Sequence, residues 1–131
     1  MKILVTGGTG FIGAHLANYC LNLGNDVHIC DNNIRGTKDE FIDDMISRGA
    51  KFIKCDLMER SELSKLDDDY DVIFHFAAIN GTENFYTIPY VVMSVGILST
   101  MNLLEKYGKK QTKFIFSSSS ETYASTFNFR S

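Results

Sequence analysis

The chain alternates between short apolar runs and longer stretches in which apolar residues recur every three or four positions. Residues 2–6 are a brief apolar run ending in glycines, the mark of a strand buried on both faces. Beyond it apolar side chains fall at Ile12, Leu16, Tyr19, Cys20 and Leu23, which predicts a helix with that face inward, stopped at Gly24. Residues 27–30 read as a second strand ending at Asp31, and the polar segment 32–38 as a loop around Gly36. Residues 39–47 predict a helix closed by Gly49, 51–55 a third strand ending at Asp56, and 61–66 a short helix. The acidic run Asp67-Asp68-Asp69 reads as a solvated turn. A fourth strand is expected at 72–76, irregular chain at 80–88, and a long helix at Pro89–Tyr107, with Pro in its first turn and Gly108 past its end. Residues 112–116 form the fifth strand and run into the serines 117–120. Strands alternating with helices predict an α/β fold, a Rossmann-like doubly wound parallel sheet of about five strands, in one domain over residues 1–131.

Composition narrows the classes. With 131 residues, 44% of them hydrophobic and 22% charged, the chain suits one ordinary globular domain. A net charge of −3 argues against a nucleic-acid partner. No apolar run approaches the roughly 18 to 20 residues that span a bilayer, so no membrane partner is expected. The start of the chain has neither the apolar stretch nor the cleavage site of a signal peptide. Cys20, Cys30 and Cys55 are an odd, scattered set that reads as reduced, packed thiols in a cytoplasmic protein. His15, His28 and His75 do not stand at metal-ligand spacing with Cys or Asp, so they read as structural and no metal is expected. Hydrolase chemistry has no support, because no G-x-S-x-G elbow or Cys–His arrangement occurs.

The informative segment is Thr6-Gly7-Gly8-Thr9-Gly10-Phe11-Ile12-Gly13. It follows a strand and opens a helix, the setting in which such glycines cradle a dinucleotide. One glycine permits the tight turn. Gly10 lets the backbone approach a pyrophosphate, and Gly13 lets the helix lie close on the strand. The helix N-terminus adds free N–H groups and a positive partial charge. A glycine turn without a ligand is the competing reading, and its context disfavours it. Asp31, 18 residues after Gly13 at the end of the second strand, is placed to accept ribose hydroxyls. A 2′-phosphate would meet its charge, which favours NAD over NADP; Arg35 reads as a solvated loop residue.

Further candidates stand at the other strand ends, where ligands bind in open α/β sheets. Asp56-Leu57 could address an adenine amino group, or Asp56 could cap the following turn; spacing does not choose between these. Phe76-Ala77-Ala78 offers small residues for close backbone approach, or simple packing. Ser117, with the serines after it, could donate to a substrate or a nicotinamide ribose, or form a plain turn.

In order along the chain, the glycine segment, Asp31-Asn32, Asp56-Leu57, His75-Phe76-Ala77-Ala78, Asn102-Leu103-Leu104-Glu105 and Ser118-Ser119-Ser120-Glu121-Thr122-Tyr123 resemble the N-terminal part of an extended short-chain dehydrogenase/reductase. More narrowly, they resemble the NAD-dependent epimerase/dehydratase group that acts on nucleotide sugars. The resemblance implies a Rossmann sheet with NAD over Gly7, Gly10, Phe11 and Ile12. Asp31 and Asn32 would take the ribose, Asp56 and Leu57 border the adenine, and Ala77 and Ala78 line the middle of the cofactor. Ser119 matches the family's active-site Ser/Thr. Ser120 and Glu121 match the pair that assists chemistry after oxidation in dehydratases and decarboxylases. A nucleotide sugar would be the substrate of the full-length form.

Two departures accompany the resemblance. The family's Tyr-x-x-x-Lys, whose Tyr removes the hydroxyl proton as NAD takes the hydride, does not occur in these 131 residues. Gly96 stands where many members have Asn. The chain alone is therefore expected to bind NAD without turnover; a non-catalytic dinucleotide-binding or interaction module is the alternative. Self-association is expected through the long helix, with Val91, Val92, Val95 and Leu98, and through the edge left by the fifth strand.

Overall fold

The computed structural model of the chain describes residues 1–33, 39–79 and 81–119. Five strands, β1 (Lys2–Thr6), β2 (Asp26–Asp31), β3 (Lys51–Lys54), β4 (Val72–His75) and β5 (Lys113–Phe116), form one sheet in the order β3-β2-β1-β4-β5. Every neighbouring pair is parallel. The chain leaves β1 toward β2 on one side and returns to β4 on the other, which puts a switch point beside the C-terminal end of β1.

Four α-helices, α1 (Phe11–Asn22), α2 (Glu40–Ser47), α3 (Thr82–Thr87) and α4 (Pro89–Tyr107), and a 3₁₀ segment at Arg60–Lys65 complete the described fold. Strand alternation sorts the core into two layers. Ile3, Val5, Val27 and Ile29 meet Ala14, Ala17, Cys20, Ile42 and Met45 from α1 and α2. Leu4, Cys30, Ile53 and Ile73 meet Leu63, Leu66, Leu103 and Tyr107 on the other face. The sheet is thus covered on both faces, as the near-continuous apolar strands require.

Three expectations change. First, α1 turns a different face inward: Gly13, Ala14, Ala17 and Cys20 are buried, while Ile12, Tyr19 and Leu23 are 68%, 62% and 64% exposed. The helix lies too close to the sheet for large side chains to fit between, so closeness of approach outweighs side-chain hydrophobicity. Second, within the segment read as irregular, residues 82–87 are helical; α3 buries none of its residues, so it carries no amphipathic signal to read. Third, the acidic turn is paired rather than merely solvated. Lys2 Nζ meets Asp67 at 2.8 Å and Asp69 at 2.5 Å, and Asp68 meets Lys106 and Lys110 at 3.4 and 3.0 Å. These charges tie the amino ends of β1 and β4 to the end of α4. Among the smaller details, Asp39 is a cap rather than a helical residue, its carboxylate accepting from Phe41 N and Ile42 N. Val92 packs in the core rather than joining the exposed face of α4.

The carboxyl ends of β1 and β4 are joined by a buried polar chain. Thr6 and His75 are register partners across the two strands, and both are buried. Thr6 Oγ1 accepts from Phe76 N and Ala77 N, each at 3.2 Å, which leaves its own proton for His75 Nδ1 at 2.7 Å. The imidazole proton is therefore on Nε2, which donates to Thr100 Oγ1 of α4 at 3.0 Å. Thr100 in turn donates to the Gly96 carbonyl at 2.7 Å. Every polar atom of the ring is satisfied only while His75 is neutral.

Burial lowers the His75 pKa from 6.5 to about 4. The folded state thus binds fewer protons than the unfolded chain below pH 6.5, and stability that is complete above that value falls with pH. The loss by pH 4 is about 3 kcal/mol from this group. His28, also lowered by burial, adds in the same sense. Urea unfolding between pH 6.5 and about pH 5 should show this decline in the wild type and a flatter profile in His75→Gln. Equal slopes in the two proteins would show that His75 carries none of it.

Candidate functional site

The site grows from the turn that follows β1. Gly7 adopts φ +65°, and a Cβ there would lie 2.8 Å from Ala77 N and from the Phe76 carbonyl. Only glycine allows both the left-handed turn and the close passage beside the end of β4. Gly13 is equally constrained, since its Cβ would overlap the Gly7 carbonyl and come within 2.9 Å of Gly8 Cα. Gly10 differs. Its backbone is extended, and a Cβ there would approach only the Gly7 carbonyl, at 3.2 Å. Glycine at position 10 therefore keeps space clear in front of the helix and is not needed to relieve a clash behind it. Gly10 caps α1 without a side chain, and no acidic residue follows in the first turn. No cap side chain accepts from the first-turn N–H groups of Phe11, Ile12 and Gly13, which leaves them at the positive end of α1. Phe11 and Ile12 are both exposed beside this opening.

Asp31, at the end of β2, is tied to the glycine turn. Its Oδ2 accepts from Thr9 N at 3.1 Å and its Oδ1 from Asn33 N at 2.9 Å. Each carboxylate oxygen keeps a second acceptor direction, so the group is oriented and still able to take hydroxyl donors. Thr9 Oγ1 and Asn33 Oδ1, on either side of it, are buried without a hydrogen-bond partner. Unsatisfied buried polar atoms are costly, and their presence at one locus fits a polar ligand that completes them. Asn32 lines a cleft of about 330 Å³ together with Lys54, Asp56, Glu62 and Lys65.

Asp56 Oδ1 accepts from Met58 N at 2.9 Å, so the turn-capping reading of this residue is realised. Its own N–H is also engaged, donating to Glu62 Oε2 at 2.8 Å. Leu57 is buried, and its carbonyl accepts from Asn102 Nδ2 at 2.9 Å. Beyond β4, Phe76 and Ala77 are half-buried against the two core layers and Ala78 is exposed. Beyond β5, Ser117 Oγ lies 3.5 Å from the His75 carbonyl as donor, and Ser119 is exposed. Ser120, Glu121 and Arg35 lie outside the described residues.

The candidates from the five strand ends thus stand along one edge of the sheet. Direct bonds or contacts join Gly7 to Phe76-Ala77 and Thr9 to Asp31. Sequence reasoning missed Thr6, Thr9, Asn33, Glu62 and Thr100. Thr6 and His75 could have been flagged as polar residues inside apolar strands, but no spacing rule pairs them. The cysteines are all buried; Cys55 Sγ donates to the Glu62 carbonyl at 3.5 Å, and the neighbouring Cys55 thiol together with burial pushes the Cys30 thiol well up. Among the described residues, no group of three or more His, Cys, Asp or Glu could hold a metal ion, and no helix is long and apolar enough to cross a membrane.

Comparison with known proteins shows the family and the fold. The model of the NAD dependent epimerase/dehydratase family matches residues 3–129. A UDP-N-acetyl-alpha-D-glucosaminuronate decarboxylase of Bacillus cytotoxicus is 32% identical over 122 residues, covering 93% of this chain and 37% of the relative. A UDP-glucose 4-epimerase of Haemophilus influenzae is 30% identical over 128 residues, covering 94% of this chain and 38% of the relative. Among solved structures, the UDP-glucose 4-epimerase of Bifidobacterium longum in complex with NAD+ and UDP superposes with a TM-score of 0.85 at 28% identity, covering 95% of this chain and 38% of that one. The chain therefore spans somewhat more than a third of these relatives' length. It belongs to the NAD dependent epimerase/dehydratase family.

Proposed function

We propose that residues 1–131 form an NAD-binding domain and that the complete protein modifies the sugar of a nucleotide sugar by hydride transfer. One observation carries the reading. The Asp31 carboxylate is fixed to the backbone of a glycine turn whose outward side, at Gly10, is held clear. The orphaned Thr9 and Asn33 oxygens support the fit, because a ribose supplies hydroxyls that can bond to both. Phe11 N, Ile12 N and Gly13 N would take the pyrophosphate, Asp31 and Asn32 the adenosine ribose, and Asp56 and Leu57 the adenine. Phe76, Ala77 and Ala78 would line the middle of the cofactor, with Ser117 near its far end. Ser119 would bond the sugar hydroxyl that is oxidised; Ser120 and Glu121 would assist the steps that follow. When bound, NAD supplies the hydride acceptor. This chain holds no Tyr-x-x-x-Lys to receive the hydroxyl proton, so alone it binds and does not turn over.

Calorimetric titration should show NAD binding and weaker NADP binding, since a 2′-phosphate faces the fixed Asp31 charge. Gly10→Val should abolish binding while the chain still folds, because its backbone is already extended and its Cβ would press only on the Gly7 carbonyl, at 3.2 Å. Asp31→Ala should also lose NAD. Undiminished NAD affinity in a folded Gly10→Val protein would sink the proposal, as would tighter NADP than NAD.

A second property is supported by α4. Tyr90, Met93, Ile97, Met101 and Leu104 recur along one side of the helix and are all exposed. An apolar stripe of this length is typical of a covered surface. We expect concentration-dependent association by sedimentation, weakened by the pair Ile97→Glu and Met101→Glu. A clean monomer at high concentration would contradict it.

A further inference from the structure

The cleft beside the end of β3 contains a feature that neither the family match nor the motifs assign. Asp56 has four hydrogen-bonding groups, and three of them are already committed, its carbonyl by accepting from Glu59 N at 3.1 Å. Its N–H donates to Glu62 Oε2 at 2.8 Å, and its Oδ1 accepts from Met58 N at 2.9 Å. Glu62 comes from the following 3₁₀ segment and reaches back six residues to do this. It is itself held: Lys65 Nζ meets its Oε1 at 2.8 Å, and Lys65 also donates to the Lys54 carbonyl at 3.4 Å. Lys65 and the Asp56 N–H together hold the Glu62 carboxyl below its usual range. Asp56, Glu62, Lys54, Lys65 and Asn32 form the wall of the cleft of about 330 Å³.

We propose that Glu62 is a positioning residue for purine recognition, fixing Asp56 so that its remaining oxygen, Oδ2, reads the amino group of a 6-aminopurine. The inference rests on the NAD-binding reading above and assigns to it a determinant of base specificity. A carboxylate can only accept, so an amino group at purine position 6 suits it and a carbonyl oxygen there is repelled. Clamping Asp56 at N and at Oδ1 leaves it little freedom to turn away from a mismatched base. A site built around one acceptor rejects the wrong partner because the acceptor is left buried and unpaired. Free of Glu62, the main chain at Asp56 could shift and carry the carboxylate off its aim, and the distinction would fade while stacking and phosphate contacts persist.

The test compares NAD with nicotinamide hypoxanthine dinucleotide, which carries a carbonyl in place of the adenine amino group. Affinities for both are measured by calorimetry on wild type, Glu62→Ala and Glu62→Gln, with thermal melts on each. Wild type should prefer NAD by roughly tenfold or more, the worth of one good hydrogen bond against a repulsive contact. Glu62→Ala should cut that preference to within about threefold, mainly by weakening NAD. Glu62→Gln, whose amide oxygen can still accept from Asp56 N–H, should restore most of it. Should Glu62→Ala weaken both dinucleotides equally, Glu62 is structural and the proposal falls. It falls also if wild type does not discriminate, or if Glu62→Ala keeps the wild-type ratio. Failure of the folded wild type to bind either dinucleotide would overturn the NAD-binding reading itself, and this inference with it.

Discussion

The Thr6–His75 hydrogen bond is the contact on which the candidate site rests. It lies where two central strands end together, in a place with no water to offer the side chains. One hydroxyl satisfies two backbone N–H groups and one ring nitrogen, and the other ring nitrogen reaches α4. Removing any member would leave a buried polar group unpaired, at about 1 to 3 kcal/mol each. The geometric consequence matters more. The Phe76-Ala77 backbone is held so close to Gly7 that a Cβ there would lie 2.8 Å from it. The turn, the start of α1 and the tie from Thr9 to Asp31 all follow from that placement.

The two ends of the sheet are built on different physics. At the amino end, half-buried Lys2 and Lys106 and exposed Lys110 pair with the acidic turn at the surface, and Tyr107 Oη donates to the Asp67 carbonyl at 2.6 Å. Ion pairs at the surface contribute little each and weaken with salt. At the carboxyl end the polar groups are buried, neutral or fixed by backbone N–H groups, and several keep an acceptor direction free. The first end closes the fold, and the second is left chemically unfinished. Residual unsatisfied capacity collects where a ligand would complete it, which is the usual place for a local departure from full satisfaction.

Much of this was legible in the sequence because the signals are local. The glycine segment, Asp31 after an apolar run, and the Pro and Gly that bracket α4 each act within a few residues, and each marks its element to within a residue or two. The inward face of α1 was not legible, because periodicity counts apolar size while the sheet selects for smallness at Gly13, Ala14 and Ala17. Nor was α3, which buries nothing and so leaves no pattern. Thr6 with His75 and Asp56 with Glu62 escaped for another reason. The first pair meets only after two strands 69 residues apart come into register, and the second only after a 3₁₀ turn folds back.

The claim at the centre is that the glycine turn, Asp31 and the ends of β3 and β4 act as one ligand surface. Titrating the isotopically labelled chain with NAD and following backbone amide resonances tests it most directly. The expected result is a joint shift, with a single affinity, at Gly10, Phe11, Asp31, Leu57 and Ala77, while Asp68, Asp69 and Leu104 stay still. Shifts centred on α4 or the acidic turn, or a folded chain with no shifts at all, would contradict it.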